Sequence, residues 1–347
     1  MGGAGLNAWR DGIRRVNRAP ALLAAVWALT LVVTLPIAAV MRSLLARHLG
    51  ASLAAETAAS GVNYDWMQEF SDQAAGLGVT FKPTIIGFGA VADNLSAFLD
   101  NVERPVVIVA AATVYILLWI FVAGGIIDRY ARDRPTHAAG FFTASGVFFF
   151  RFLRLGVLQA IVYSALFSSL HPLLFERLYP KLVHDLTVER TAFLIRIALY
   201  LVFGALVAVC VTMFDYAKVR AIVEDRRSML SAAVEGIRFV RRNPADASTL
   251  FLVNFACFAV VVGIYAAIVP AVGGTGVSMW LTVMTGQLYL LARLWVKLVF
   301  WASEAAWFQS QLAHAGYAAS PLTRWPESAV VDAAIGKEQL RVGSKEG

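Results

Sequence analysis

The chain has 347 residues, of which 59% are hydrophobic and only 15% are charged. A soluble domain carries roughly a quarter charged residues, so this composition excludes an ordinary soluble protein and indicates residence in lipid. The net charge of +7 comes mostly from short loops beside apolar segments, which makes it a topology signal rather than evidence for nucleic-acid binding.

Six apolar runs are long enough to cross a membrane, because a helix needs about 20 apolar residues to span a ~30 Å hydrocarbon core. The runs cover residues 20–41, 105–127, 153–171, 193–214, 250–271 and 280–301. The first run is too long for a signal peptide and has no clean cleavage site. Cys210 and Cys257 lie inside the runs and are interpreted as small packing residues. We therefore predict an all-α integral membrane protein with six transmembrane helices.

The distribution of basic residues predicts the orientation of these helices. Arg and Lys are concentrated in the N-terminal tail and in the second and fourth loops. The loop 42–104 has four basic residues against seven acidic ones, and the loop 272–279 has no basic residue. Because basic loops stay on the cytoplasmic side, we expect both termini in the cytoplasm and the loop 42–104 outside.

Basic, helix-patterned segments precede spans one and five. Within residues 6–18, Leu6, Trp9, Ile13 and Val16 share one face and the arginines share the other. A basic amphipathic helix with a Trp on its apolar side usually lies in the membrane interface. The arginines predicted to anchor such helices at the interface are Arg14, Arg18, Arg238 and Arg242.

The long outer loop is predicted to hold two short helices. Residues 63–73 have a helical pattern, and in residues 84–99 apolar side chains recur at helical spacing. We interpret the second helix as lying on or dipping into the outer leaflet, with a lid over a cavity of the helix bundle as the alternative. Span three is expected to end at His171-Pro172, because proline disfavours a continuing helix.

Short motifs recur along the chain. The segment from Asp11 to Pro20 and the segment from Glu235 to Pro244 share six of ten residues, and 145–151 is a weaker copy. The exits of spans two and four match as Tyr-Ala followed by a basic residue. These motifs predict three parallel hairpins related by an axis along the membrane normal, each preceded by an interfacial helix. Chance similarity among short basic motifs is the alternative. The hairpins cover residues 20–127, 153–214 and 250–301.

This plan resembles a known group of proteins. The three hairpins, the Asp215-Tyr-Ala-Lys exit, the Glu224-Asp-Arg-Arg turn and the Gly-Ile-Arg helices are similar to uncharacterised bacterial multi-pass membrane proteins. Those are related to the membrane domain that precedes some glycerophosphodiester phosphodiesterases. The resemblance covers residues 1–320 in outline and implies a six-span domain in a bacterial inner membrane. It does not imply phosphodiesterase activity, because only a tail at 321–347, expected to be flexible and cytoplasmic, follows.

Charged side chains inside span six are the main functional candidates, since ionisable residues in membranes usually have a function. Arg293 and Lys297 lie about 20 Å and 26 Å from the outer end of this helix. Polar residues that share their face of the helix within about 120° are Thr282, Thr285, Tyr289 and Glu304.

Two cations one helical turn apart need anions nearby. The candidate anions within the chain are Asp215, Asp128 and Glu304, and the external candidate is a lipid phosphate. Structural ion pairing, binding of an anionic ligand and snorkelling of the side chains to the interface all fit the sequence. Lys297 can snorkel, whereas Arg293 lies about 10 Å short of the interface.

The function that the sequence favours is binding or translocation of a lipid-like or amphipathic anionic molecule between the hairpins. The alternative is a membrane scaffold that assembles partner proteins through its basic loops, and a membrane enzyme is a third interpretation. The expected partners are membrane lipids, anionic ones included, and no nucleic acid. No spacing indicates a metal site, a cofactor site or a Ser-His-acid arrangement.

Overall fold

The computed structural model describes residues 3–50, 52–60, 63–82, 84, 87–269 and 276–314. Within these ranges the chain is helical and contains no β-strand. Six of its helices are long and apolar enough to cross a membrane, which confirms the predicted fold class. These helical segments are Pro20–Leu49, Val106–Arg132, Ala138–Val183, Glu189–Val223, Pro244–Ile268 and Val277–Leu312. The predicted tail at 321–347 lies outside the described residues.

The α-helices are numbered in chain order. They are α1 (Gly3–Asn17), α2 (Pro20–Leu49), α3 (Ala55–Ser60), α4 (Tyr64–Gln73), α5 (Phe88–Leu99), α6 (Val106–Arg132), α7 (Ala138–Ala165), α8 (Tyr179–Val183), α9 (Glu189–Val223), α10 (Met229–Arg242), α11 (Pro244–Ile268) and α12 (Val277–His314). At 1.5 Å per residue, the 38 residues of α12 extend over about 57 Å. This helix is therefore much longer than a ~30 Å hydrocarbon core requires.

The helices form two compact units. Unit 1 consists of residues 3–19, Leu117–Asn254 and 298–314. Unit 2 consists of the described residues of Pro20–Ile116 and Phe255–Lys297. The helices α6, α11 and α12 contribute residues to both units.

The helices α1 and α10 end just before the prolines that begin α2 and α11. Proline is favoured in the first turn of a helix, where its missing N–H costs no hydrogen bond. The buried face of α1 differs from the predicted one: its small residues Gly5, Ala8 and Gly12 are buried, together with Val16. Leu6 is 41% exposed. The helix thus packs into unit 1 through its small residues, because they allow a close approach of backbones.

The start of span three differs from the starts of spans one and five. Residues 145–151 lie inside α7, so no separate helix precedes this span. Its end also differs, because the helix continues beyond His171-Pro172 to Val183. It does so through two π-helical turns at Leu166–Leu170 and Leu173–Leu178. The wider turns accommodate the proline, since the N–H of His171 bonds to the carbonyl of Leu166, five residues back.

In unit 2, both predicted helices of the outer loop are present. The helix α4 begins after Asn63, whose side chain accepts the N–H of Trp66 at 3.0 Å as an N-cap. The indole Nε1 of Trp66 donates to Nδ1 of His48 at 2.9 Å and thereby ties α4 to the end of α2. The helix α5 buries none of its residues within the chain, which leaves its apolar face available to lipid.

Candidate functional site

The span-six candidates Thr285, Tyr289, Arg293 and Lys297 lie in unit 2. The Arg293 side chain is exposed, and no residue in the described part of the chain forms an ion pair or hydrogen bond with it. The ring of Tyr289, one turn earlier, stacks on Tyr265 of α11 at 4.1 Å between centroids. Lys297 is half-buried, and the Thr285 hydroxyl donates to its own helix at the carbonyl of Leu281, 2.8 Å away.

Polar contacts also join other helices of unit 2. The indole Nε1 of Trp27 in α2 donates to Oε1 of Gln287 in α12 at 2.9 Å. The hydroxyls of Thr30 in α2 and Tyr115 in α6 lie 3.4 Å apart. Interhelical hydrogen bonds of this kind hold helices together where apolar burial gives little driving force. Gln287 accepts a hydrogen bond from α2 and Tyr289 stacks on α11, so two neighbouring helices contact α12 near Arg293.

The three carboxylates proposed as counter-charges lie in unit 1 instead. Asp128 pairs with Arg132 on its own helix, and Asp215 pairs with Lys218, each at 2.8 Å. The exposed fractions of Asp128, Asp215 and Glu304 are 2%, 2% and 4%. Asp215 and Glu304 both act electrostatically on the buried Tyr216. These side chains are buried within unit 1, and their role as counter-charges for Arg293 and Lys297 stays a prediction.

The end of α12 is the centre of unit 1. Every residue from 301 to 309 is buried, so this segment is enclosed on all sides. The ring of Trp307 packs against Tyr216 at 5.3 Å and against Phe239 at 4.8 Å. Asn254 of α11 donates its Nδ2 to the hydroxyl of Ser303 at 3.1 Å. The sequence prediction ended span six at residue 301 and so missed this segment, whose apolar and aromatic residues continue the helical pattern.

A polar hub joins α1, α6 and α12 in unit 1. Arg15 Nη1 donates to the carbonyl of Tyr130 at 2.8 Å and to Oε1 of Gln309 at 2.9 Å. Gln309 Nε2 donates in turn to the carbonyl of Ala131 at 2.8 Å. The carbonyls at the C-terminal end of α6 lack helical partners, and a cation there is favoured by the helix dipole. Arg15 therefore acts as a C-cap for α6, and Asp11 holds its guanidinium at 2.8 Å.

Glycines mark the closest helix contacts of unit 1. A Cβ at Gly12 would lie 2.7 Å from the backbone nitrogen of Ser303. A Cβ at Gly236 would lie 3.0 Å from the carbonyl of Met213. A Cβ at Gly125 would lie 2.6 Å from the hydroxyl of Ser145. These contacts join α1 to α12, α10 to α9 and α6 to α7.

All four predicted interfacial anchors are exposed on the surface of unit 1. Arg18 lies 3.4 Å from Asp133, and Arg238 lies 3.4 Å from Glu235. The side chains of Arg14 and Arg242 have no ion-pair or hydrogen-bond partner among the residues with described positions. Their role as interfacial anchors stays a prediction.

The described residues contain no group of three or more His, Cys, Asp or Glu side chains that could hold a metal ion. No protein-family model matches the chain, and neither a curated protein nor a solved structure matches it. The resemblance to bacterial multi-pass membrane proteins therefore stays a prediction.

Proposed function

We propose that this protein binds or translocates a lipid-like or other amphipathic anionic molecule beside span six. It would do so in the inner membrane of a bacterium, with both termini in the cytoplasm. The observation that carries the proposal is Arg293, an exposed cation in a membrane-spanning helix without a carboxylate partner in the described structure.

The energetic argument starts from the cost of the charge. An arginine near the centre of a membrane helix costs about 2.5–3.5 kcal/mol on insertion scales unless an anion or water compensates it. Asp128 and Asp215, two candidate counter-charges, pair with basic residues of their own helices. A phosphate or carboxylate of a ligand would supply the missing anion, because a guanidinium donates two parallel hydrogen bonds to such groups.

The neighbouring side chains suit an amphipathic ligand. Lys297 lies one turn beyond Arg293 and adds a second positive charge. Tyr289 and Tyr265 form an aromatic pair one turn on the other side of Arg293. The ligand's charged group would contact Arg293 and Lys297, and its apolar part would lie along the tyrosines and the lipid-facing side of α12.

The proposed three-hairpin repeat is supported by the close contacts of unit 1. The helix before hairpin one, α1, approaches the exit of span six at Gly12, and the helix before hairpin three, α10, approaches the exit of span four at Gly236. The two glycines hold corresponding positions in the Gly-Ile-Arg motif. The start of α7 at Ser145 approaches span two at Gly125 in the same sense. Each entry segment thus packs against the exit of another hairpin, as a cyclic repeat requires.

The test compares the lipid that co-purifies with wild type and with an Arg293→Leu/Lys297→Leu variant. Lipids are extracted from the purified protein and quantified by mass spectrometry. We expect less bound anionic lipid in the variant than in wild type, because the two positive charges beside span six are removed. An Arg293→Lys variant keeps the positive charge but lacks the planar guanidinium group, so we expect it to retain an intermediate amount of bound lipid.

An Arg190→Leu/Arg196→Leu variant is the matched control, since it removes two arginines from the N-terminal end of α9, in another membrane-spanning helix. Identical lipid content in wild type, control and span-six variant would remove the ligand proposal. That result would favour the alternative scaffold, in which exposed Arg226 and Arg227 contact a partner protein. In that case charge reversal at Arg226 and Arg227 would release a co-purifying protein, and the span-six variants would retain it.

A further inference from the structure

A cleft of about 310 Å³ lies in unit 1, between α7 and the start of α10. Two segments form its walls: one face of α7, and the turn that leads from α9 into α10. The residues that line it are Arg154, Leu158, Arg227, Ser228, Met229 and Leu230. The cleft shares no residue with the span-six site, which lies in unit 2.

An ion pair holds the turn against α7 and so forms the cleft. Arg151 Nη1 lies 2.6 Å from Oδ1 of Asp225. Asp225 itself adopts a left-handed conformation (φ 48°), which reverses the chain after α9. The next residues of the turn, Arg227 and Ser228, are thereby brought beside Arg154, which lies about one helical turn beyond Arg151.

The two arginines in the cleft lack the carboxylate partners that their neighbours have. Arg151 pairs with Asp225, Arg220 with Glu224 and Glu235, and Arg226 with Glu224. The side chains of Arg154 and Arg227 are exposed, and neither forms an ion pair or hydrogen bond with a residue that the structure describes. The local acidic side chains are therefore used elsewhere, and the cleft carries two uncompensated positive charges.

The other walls of the cleft are apolar. Leu158 is half-buried, Met229 is buried, and Leu230 is 66% exposed. The Ser228 hydroxyl accepts the N–H of Ser231 at 3.4 Å and so caps the start of α10. The amides at the N-terminus of this helix add to the positive potential in the cleft. A free anion would contact only the arginines. A phosphate that carries an alkyl group would contact the arginines with its charge and the leucines with its apolar part.

We infer that this cleft binds the phosphate headgroup of a membrane lipid, with the first carbons of the lipid against Leu158 and Leu230. Its volume is at the small end of the range for ligand pockets, roughly 300–1,000 Å³, so it suits a headgroup rather than a whole lipid. The acyl chains would then remain in the leaflet at the arginine-rich ends of the spans. Basic side chains near a membrane surface favour anionic lipids in this way.

The experiment uses the full chain in detergent, reloaded with phosphatidic acid, phosphatidylglycerol or phosphatidylcholine and studied by native mass spectrometry. In the Arg293→Leu/Lys297→Leu background, which removes the proposed span-six site, we expect Arg154→Gln/Arg227→Gln to bind the two anionic lipids about tenfold or more weakly than the background protein alone. The matched control, Arg190→Gln/Arg196→Gln, removes the same charge from the N-terminal end of α9, far along the helix from the cleft, and should bind them like the background protein. Equal binding by all three proteins would overturn the inference.

Two further arms separate the remaining explanations. Glycerol 3-phosphate carries the headgroup without acyl chains, and displacement of phosphatidic acid at equimolar concentration would show a site for soluble phosphates, against the inference. An Arg154→Lys/Arg227→Lys variant keeps the charge and should recover most of the binding if the variants are folded. The Arg293→Leu/Lys297→Leu variant should retain binding at the cleft. The cleft inference and the span-six proposal can therefore fail independently of each other.

Discussion

Two glycines in corresponding positions of the repeated motif have different surroundings. A Cβ at Gly12 would meet the backbone of Ser303 at 2.7 Å, whereas a Cβ at Gly146 would meet no atom within 4 Å. Both lie in helices with ordinary dihedral angles, so conformational freedom explains neither of them. Gly12 is required because two helix backbones touch there, and the motif alone could not show which copy makes such a contact.

We expect Gly12→Ala to lower the stability of the protein by about 1–3 kcal/mol, because a methyl group cannot fit without a shift of α1 or α12. Gly146→Ala is the matched control. It should be neutral or stabilising by roughly 0.5–1 kcal/mol, since alanine favours a helix over glycine. Thermal unfolding in detergent, followed by circular dichroism, measures both. A Gly12→Ala variant as stable as Gly146→Ala would show that α1 is not packed closely against α12.

At the scale of elements, hydrophobic length and periodicity were sufficient to predict the six spans and the helices α4 and α5. Hydrophobic length and periodicity were not sufficient to predict which residues contact neighbouring helices. Of the predicted apolar face of α1, Val16 is buried but Leu6 is exposed, and the small residues Gly5, Ala8 and Gly12 are buried as well, because they allow close packing. Likewise, a proline that predicts the end of a helix can be accommodated by π-helical turns, as at Pro172. Tertiary packing decides both outcomes, and it leaves no local signal in the sequence.

The helix α5 gives a prediction at this scale. It buries none of its residues in the chain, and Leu95 and Phe98 are 56% and 44% exposed. If α5 lies on the membrane, a spin label at Leu95→Cys should be more accessible to oxygen, which dissolves in lipid, than a label at Ser96→Cys. The label at Ser96→Cys should be more accessible to a water-soluble nickel chelate than the label at Leu95→Cys. The reason is that position 96 lies about 100° further round the helix, away from the apolar face. Both labels go on a Cys210→Ala/Cys257→Ala background in liposomes, and equal accessibility at the two positions would contradict the interfacial placement.

At the scale of the whole molecule, the sequence predicted which residues carry charge in the membrane but not which of them are compensated. Arg293 has no ion-pair partner in the described structure, as a ligand site requires. Asp128, Asp215 and Glu304 are the predicted candidate anions, and they are buried in unit 1. The hub of Arg15 and Gln309 was not predicted, because their partners are backbone carbonyls more than 100 residues away. Such pairing depends on the fold and has no sequence spacing.

The orientation of the chain follows from the parity of its crossings. Four spans separate Arg14 from Arg227, so the two positions should lie on the same side of the membrane, whereas only one span separates Arg14 from Lys82. The excess of basic residues around positions 14 and 227 predicts that this side is the cytoplasmic one. In the cysteine-free background, a membrane-impermeant maleimide added to intact cells should label Lys82→Cys and leave Arg14→Cys and Arg227→Cys unlabelled until the cells are lysed. Labelling of Arg14→Cys but not Arg227→Cys in intact cells would mean that an odd number of spans crosses between them. Both proposed lipid sites would then lose the basic, cytoplasmic ends of the spans on which their geometry depends.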